Sequence, residues 1–277
     1  MPQSATALIR ASHPGPTLVV TAVTAVLGVS VGYGPLRLLV LAAMMCAAQL
    51  SIGWSNDWID SERDRAVARS DKPVARGDIG RSAVRTAAFI AAAISLVLSL
   101  LLGAPAALAN GVAGAMGWAY NAGLKNTLLS PLPYILCFGL IPAIATLGSA
   151  SPRLPYPWTF AVGALLGVAA HFTNVLPDLR DDRETGIRGL PHAMGEKASG
   201  ITAFVLLGAA AVILVTSALP SPGIALWSGL VISIILAVAG IGLLLRGTTT
   251  RILMRLIMTA ALLDVVMLAF SGHPLAS

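Results

Sequence analysis

The chain has 277 residues, of which 56% are apolar and only 11% are charged. A soluble globular domain carries about 25% charged residues, so this chain has too few charges to cover a water-exposed surface of its size. The composition excludes an ordinary cytosolic enzyme, a disordered chain and a disulfide-rich secreted module, and it favours a multi-pass membrane protein. Basic residues that flank membrane spans then explain the net charge of +6 better than nucleic-acid binding does.

Apolar runs long enough to cross a bilayer recur along the whole chain. A helix needs about 20 residues to cross about 30 Å of hydrocarbon, and the pattern predicts nine such spans. They lie near residues 16–33, 36–55, 83–103, 104–120, 132–149, 158–176, 199–218, 224–245 and 252–271. The boundary near Gly103 is the weakest, because 83–120 can also be read as one span plus a buried segment. The sequence therefore predicts an all-α membrane protein, with nine transmembrane helices in one bundle and a single domain, 1–277.

The basic residues predict how the chain is oriented in the membrane. With nine spans and a cytoplasmic N-terminus, every Lys and Arg except Arg37 and Arg153 falls in a cytoplasmic segment. Because cytoplasmic loops are enriched in basic residues, this asymmetry predicts an external C-terminus. Reading 83–120 as one span would move the later basic loops to the other side, so we keep nine. The first apolar stretch is interpreted as a retained span rather than a cleaved signal.

All acidic residues except Asp264 lie in two predicted cytoplasmic segments, 57–78 and 178–196. Both segments contain or adjoin the pattern Asn-x3-Asp-x3-Asp-Arg, and each follows directly on an even-numbered predicted span, the second and the sixth. The pattern places Asn56, Asp60 and Asp64 in one set and Asn174, Asp178 and Asp182 in the other. On a helix, side chains four and eight residues apart share one face. The sequence therefore predicts two acidic stripes at a central cavity that opens to the cytoplasmic side.

Carboxylates that face one another at the edge of a bilayer repel and resist desolvation, so a cation must lie between them. Oxygen ligands with one or two carboxylates per ion suit Mg²⁺, which often completes its shell with phosphate oxygens. The two stripes therefore predict a receptor for a Mg²⁺-bound diphosphate. The predicted metal ligands are Asp60, Asp64, Asp178 and Asp182, with Asn56 and Asp57 as further candidates. The alternative is a pair of solvated loops whose acids balance nearby Arg and Lys.

The two motifs resemble those of the UbiA-type intramembrane prenyltransferase superfamily, whose members have nine spans and Asp-rich motifs after the second and sixth. Three other stretches are similar to segments of that family, namely 69–77, 120–125 and 186–191. The Arg-x-Ala-Gly-Cys element of the branch that acts on 4-hydroxybenzoate is absent at 49–55, which argues against that acceptor. The Met-Lys-Arg-Thr run of the haem-farnesylating branch is also absent.

The resemblance implies a Mg²⁺-dependent integral-membrane enzyme that ionises a polyprenyl diphosphate and transfers the prenyl group to an acceptor. That acceptor would be an aromatic or quinone precursor, or a lipid. The four aspartates would act on the diphosphate through Mg²⁺. Asn56 and Asn174 would provide oxygen ligands or hydrogen bonds, and Lys72, Lys125 and Arg188 would hold phosphate oxygens.

Other interpretations stay open. Some relatives in this superfamily cyclise the prenyl diphosphate, and others transfer a phosphoribosyl group to a polyprenyl phosphate. A third interpretation is a cation-coupled transporter, although acids interleaved with Arg and Lys at the membrane edge suit phosphate better than a bare cation. His171 is either a buried polar partner or a group that binds the acceptor or transfers a proton. Asp264, an acid within an apolar span, is predicted to bond to another helix or to be protonated.

Overall fold

The computed structural model describes residues 2–67, 69–179, 188–247, 250–269 and 274–276. Within these ranges the regular structure is helical, and an isolated bridge between Pro155 and Ala276 accounts for the extended pairing. This confirms the predicted all-α class. The helices are α1 (Pro2–Ala11), α2 (Pro14–Ser30), α3 (Pro35–Ile59), α4 (Ser61–Ala66), α5 (Pro73–Arg76), α6 (Arg81–Leu102), α7 (Ala104–Ala122), α8 (Leu132–Gly139), α9 (Ile141–Leu147), α10 (Pro157–Val175), α11 (Leu190–Thr216), α12 (Ile224–Leu245) and α13 (Thr250–Ala269).

In the described part of the chain, six helices are long and apolar enough to cross a membrane: α3, α6, α10, α11, α12 and the greater part of α13. A seventh span results if α1 and α2, which are bent by 61° relative to one another, are joined. Each predicted span coincides with helix, but the predicted number of nine crossings is not confirmed.

Two of the predicted spans, 104–120 and 132–149, do not form helices that are long and apolar enough to cross a membrane. The boundary at Gly103 exists, because α6 ends at Leu102 and Gly103 has φ 133°, where a residue with a Cβ would be strained. The next helix, α7, has 19 residues, but Asn110 and Asn121 lower its hydropathy. The predicted span 132–149 is divided into α8 and α9. Pro142 explains this break, because proline has no N–H to donate to the carbonyl one turn earlier.

The predicted span 199–218 begins earlier than expected, since α11 starts at Leu190. Gly189 caps this start and Pro191 occupies the first turn, where a missing N–H costs no helical hydrogen bond. Gly195 then interrupts the helix with φ 80° and ψ 171°. A short helical segment therefore precedes the long apolar one, within residues that the sequence predicts to be a cytoplasmic segment.

Residues Met1–Gly123 and Ala143–Arg153 form one compact unit. Its central helix is α3, which packs against α2, α6 and α7. Tyr33, just before α3, and Arg37, in its first turn, satisfy carbonyls at the ends of two other helices. Arg37 donates to the carbonyls of Gly148 at 2.7 Å and Leu102 at 2.5 Å, and the Tyr33 hydroxyl donates to the carbonyl of Ala145 at 2.8 Å. Carbonyls at helix C-termini need such external donors, which gives Arg37 a structural role.

Residues Leu124–Pro142 and Leu154–Ser277 form a second compact unit. Its central helix is α10, which packs against α8, α11 and α13. Gly163 and Gly167, one turn apart, allow α8 to approach closely: a Cβ would lie 2.5 Å from the carbonyl oxygen of Phe138 at the first position and 2.4 Å from that of Tyr134 at the second. Small residues at this spacing are typical of close helix packing in membranes. This packing fixes the C-terminal end of α10, which leads into the second motif.

Candidate functional site

The first acidic motif lies where α3 passes into α4. Asp60 separates the two helices, yet its backbone N–H donates to Asn56 at 2.9 Å and that of Asp64 donates to Asp60 at 2.8 Å. The four-residue hydrogen-bond pattern of a helix therefore continues through the motif. The side chains follow the same spacing, because Asn56 Nδ2 donates to Asp60 Oδ2 at 3.0 Å.

The carboxylates of Asp60 and Asp64 converge on one cationic nitrogen. Arg63 Nη2 lies 3.2 Å from Asp60 Oδ2 and 3.4 Å from Asp64 Oδ1. Both aspartates are buried, at 6% and 3% exposure. Burial raises the pKa of Asp64 above its ordinary value and the charge of Asp60 adds to this, whereas the charges of Lys72 and Arg63 oppose it. The two carboxylates can therefore share a single positive charge.

A second group of polar side chains surrounds Asp57, which is 1% exposed. Lys72 Nζ donates to Asp57 Oδ1 at 2.6 Å and to Asn56 Oδ1 at 3.1 Å. His13 Nε2 lies 3.0 Å from the same Asp57 oxygen. The other carboxylate oxygen, Oδ2, is buried and has no hydrogen-bond partner among the described residues. Lys72, predicted as a phosphate ligand, is thus in direct contact with the first motif.

Asn121, near the end of α7, also contacts the motif. Its Nδ2 donates to the carbonyl of Ile52 at 2.9 Å and to Ser55 Oγ at 2.8 Å, and its Oδ1 accepts from Asn56 Nδ2 at 3.3 Å. The resemblance in 120–125 includes this residue but does not single it out. Nothing in the sequence points to His13, which lies 44 residues before Asp57 in a part of the chain with no motif.

The residues predicted around the second motif lie in the second unit. Asn174 is exposed on the last turn of α10, and a 3-10 turn, Leu176–Asp178, follows. The side chain of Asp178 and the whole of Asp182 lie outside the described residues. Arg188 is exposed just before α11. Lys125 lies in the 3-10 helix Leu124–Asn126 and is 8% exposed.

Ser130 connects three parts of the second unit. Its Oγ lies 3.0 Å from His171 Nε2 and accepts the backbone N–H of Leu190 at 3.0 Å. A Cβ on Gly189 would lie 2.7 Å from the carbonyl oxygen of Lys125, so the segment that carries Lys125 packs against the residue that follows Arg188. His171 is 1% exposed and holds this arrangement together, in agreement with its interpretation as a buried polar partner.

Asp264 is fully buried in α13. Ser233 Oγ, in α12, donates to its Oδ1 at 3.2 Å. The bond joins two neighbouring helices, which is one of the two roles predicted from the sequence.

The oxygen atoms of the first motif are the ligands that Mg²⁺ prefers. Among the described residues, no three His, Cys, Asp or Glu side chains form a group that could hold a metal ion. Asp60 and Asp64 nevertheless both lie within 3.4 Å of the Arg63 guanidinium, so their carboxylates converge on one positive charge. The buried Asp57 Oδ2 has no hydrogen-bond partner among the described residues. The residues present therefore fit Mg²⁺ as part of a ligand set, with further ligands from outside the described side chains.

A cleft of about 300 Å³ lies between α3, α6 and α7 in the first unit. Its lining is almost wholly apolar, and at Gly111 and Gly114 a Cβ would meet no atom within 4 Å. Phe89 and Trp118 line it, with ring centroids 4.9 Å apart. Ile52, which also lines it, lies one helical turn before Asn56. An apolar cavity thus lies next to the polar motif.

Curated relatives align with part of this chain. Digeranylgeranylglyceryl phosphate synthase of Pyrococcus horikoshii is 30% identical over 184 residues, which is 63% of each chain. The 33 kDa chain of bacteriochlorophyll synthase from Cereibacter sphaeroides is 30% identical over 189 residues, or 64% of this chain and 62% of the relative. The alignments therefore span less than two thirds of either relative.

A solved structure has the same fold over nearly the whole chain. It is a UbiA homolog from Archaeoglobus fulgidus bound to GPP and Mg²⁺, with a TM-score of 0.71, 12% identity, and coverage of 96% of this chain and 99% of that one. The model of the UbiA prenyltransferase family matches residues 17–270. Because that match covers both compact units almost completely, the chain belongs to the UbiA prenyltransferase family.

Proposed function

We propose that the protein is a Mg²⁺-dependent membrane prenyltransferase that uses a polyprenyl diphosphate as donor. The observation that carries this proposal is the convergence of the buried Asp60 and Asp64 carboxylates on one cation. Family membership supports it, as does a relative of the same fold that binds GPP and Mg²⁺.

The proposed Mg²⁺ ligands are the aspartates of both motifs, Asp60, Asp64, Asp178 and Asp182, with Asn56 and Asp57 beside them. When bound, Mg²⁺ supplies positive charge that offsets the charge developing on the departing diphosphate. Lys125 and Arg188 are proposed to bind phosphate oxygens, and the contact between Gly189 and Lys125 supports their acting together. Asn174, exposed at the end of α10, would donate a hydrogen bond to the same group.

Lys72 is proposed to act on the diphosphate through its charge. Its ammonium already donates to Asp57 and Asn56, so it places a positive charge among the proposed Mg²⁺ ligands. Charge-assisted hydrogen bonds of this kind are stronger than neutral ones and fix geometry.

The prenyl chain is proposed to occupy the cleft between α3, α6 and α7. The cleft is apolar, and Ile52, one of its lining residues, lies one helical turn before Asn56. Trp118 donates its indole N–H to Ser51 Oγ at 3.0 Å, which fixes the ring. Aromatic faces stabilise cations, so this wall suits the allylic carbocation that remains once the diphosphate leaves. An apolar wall also excludes water, which would otherwise capture the cation.

The acceptor is proposed to be a small molecule, such as an aromatic or quinone precursor, or a lipid. The relatives are named for a digeranylgeranylglyceryl phosphate and for bacteriochlorophyll, so relatives differ in the product they are named for. Purified protein incubated with labelled geranylgeranyl diphosphate, Mg²⁺ and a panel of acceptors would identify the product by mass. A cyclic hydrocarbon would indicate cyclisation instead. Ion transport without Mg²⁺-dependent diphosphate release would overturn the proposal in favour of a transporter.

Substitution of the first motif tests the site directly. Asp60→Ala is expected to lower Mg²⁺-dependent diphosphate release by at least about 100-fold, because the leaving group loses much of its electrostatic stabilisation. The control is Glu62→Ala, in the same segment, since Glu62 is 76% exposed and pairs with Arg81. Wild-type turnover in Asp60→Ala, with the protein folded, would remove Asp60 from the site.

A further inference from the structure

The turn between α1 and α2 is fixed against α3. A Cβ on Gly53 would lie 2.3 Å from the carbonyl oxygen of Ser12, so this approach requires glycine. Trp54 Nε1 donates to the carbonyl of Leu8 at 2.9 Å, and Thr17 Oγ1 donates to that of Ser12 at 3.1 Å. The contacts of Gly53 and Trp54 place the turn next to the residues that begin the acidic motif, whereas the Thr17 bond lies within the turn itself.

His13 adopts an unusual backbone conformation in this turn. Its φ of 55° and ψ of 65° lie in the left-handed region, and among the described residues no other non-glycine residue has a positive φ. The left-handed region is unfavourable for a residue with a Cβ, and such strain persists where surrounding contacts hold it. The contacts of the imidazole ring show which interactions this strained backbone conformation makes possible.

His13 completes the hydrogen bonding of Lys72. An ammonium group has three N–H donors. Lys72 Nζ lies 2.6 Å from Asp57 Oδ1, 3.1 Å from Asn56 Oδ1 and 3.0 Å from His13 Nε2. The ammonium therefore has three partners within 3.1 Å, and His13 Nε2 also lies 3.0 Å from Asp57 Oδ1.

The ion pair that His13 contacts is buried, with Asp57 1% and Lys72 9% exposed, whereas the His13 side chain is 40% exposed. A buried ion pair depends on having its remaining hydrogen bonds satisfied. The contact with His13 Nε2 therefore helps to fix the position of the Lys72 ammonium. Asn56 links this group to the metal-binding side of the motif, because it donates to Asp60.

We propose that His13 is a positioning residue of the first motif, whose Nε2 contacts both Lys72 Nζ and Asp57 Oδ1 and so holds the ammonium against Asn56 and Asp57. The proposal rests on the proposed function, since its consequence is tighter binding of a Mg²⁺–prenyl diphosphate. It assigns a role in the site to the N-terminal segment, which carries no recognisable motif.

The test uses the purified full-length protein and geranyl S-thiolodiphosphate, a donor analogue that resists ionisation, with Mg²⁺. His13→Ala is expected to raise the Kd of the analogue about tenfold, the effect of one hydrogen bond to a charged group. His13→Gln, whose Oε1 can accept from Lys72, should restore the Kd to within about threefold of wild type. In a Lys72→Met background, His13→Ala should have no further effect, because residues that act through one another are not additive.

Thr17→Val is the matched control. It removes another hydrogen bond of the same turn without touching Lys72, so it should lower the melting temperature and leave the Kd unchanged. If His13→Ala does not fold, His13→Asn gives the same test, since asparagine tolerates the left-handed region and is too short to reach Lys72.

Three results would overturn the role of His13: an unchanged Kd in His13→Ala, no rescue by His13→Gln, or an equal loss in the Lys72→Met background. A wild-type protein that does not bind the Mg²⁺–analogue would instead overturn the proposed function itself.

Discussion

Arg63 contacts both Asp60 and Asp64, the carboxylates proposed above to bind Mg²⁺. Its guanidinium is about one third exposed, whereas both carboxylates are buried. Two carboxylates that approach one another repel strongly, and the arginine offsets that repulsion in the protein without a ligand. Arg63 therefore stabilises the motif, and it would compete with the proposed Mg²⁺ for the same carboxylates.

This competition gives a prediction for the Mg²⁺ dependence. Arg63→Met is expected to lower the Mg²⁺ concentration for half-maximal diphosphate release about threefold, because a partly exposed ion pair contributes less than about 1 kcal/mol. A Mg²⁺ titration of each variant measures this. Arg65→Met is the control, since Arg65 is exposed on the same helix. A higher Mg²⁺ requirement in Arg63→Met would show that the guanidinium assists metal binding.

Asp64 is buried and its pKa is raised, whereas the carboxylate of Asp71 is largely exposed and its pKa is lowered. Its hydrogen bonds with Arg69, at 2.8 Å, hold its pKa at about 2, although it is largely exposed. Asp71 is thus already paired outside the motif. The acidic residues of this segment therefore separate into surface groups, each paired with its own arginine, and the buried Asp60 and Asp64, which share one arginine.

At the scale of elements, the cleft depends on glycines in α7. Gly111 and Gly114 leave open space where other residues would place a side chain. The absence of side chains there, rather than any distortion of the helix, creates the volume. A larger residue at either position would shorten the cleft.

Gly114→Leu is therefore expected to lower turnover of geranylgeranyl diphosphate about tenfold while changing that of dimethylallyl diphosphate by less than about twofold. The long donor needs the cleft, and the short one does not. Gly208→Leu is the matched control, because a Cβ at Gly208, in α11 of the second unit, also meets open space. Equal loss for both donors, or no loss, would place the prenyl chain elsewhere.

At the scale of the whole molecule, the apolar helices and the family together make this a multi-pass integral membrane protein. An odd number of crossings places the two termini on opposite sides of the membrane, and an even number places them on the same side. The described helices allow six or seven. We propose a cytoplasmic N-terminus and an external C-terminus, which the basic residues support.

Reporter fusions test this orientation. A C-terminal alkaline phosphatase fusion expressed in a bacterial cell membrane is expected to be active, and a C-terminal green fluorescent protein fusion is expected to be dark. An N-terminal fluorescent fusion serves as the control and should fluoresce. A fluorescent C-terminal fusion would establish an even number of crossings.

The sequence by itself determined the helical class and the composition of the first motif. Long apolar runs form helices because their backbone groups must be satisfied within the segment, and this requires no knowledge of neighbours. The hydrogen bond between Asn56 and Asp60 was equally predictable, since residues four apart meet on any helix. The breaks near Gly195 and Pro142 carried local signals, but the number of crossings did not follow from them.

Only the tertiary structure decided which distant residues complete the motif. His13 and Asn121 lie 44 and 65 residues from their partners Asp57 and Asn56, and no spacing rule connects residues on different helices. Their approach depends on close packing, as at Gly53, where the absence of a side chain allows contact with Ser12. Local sequence sets the conformation of each helix, whereas the contacts between helices arise from how their surfaces fit.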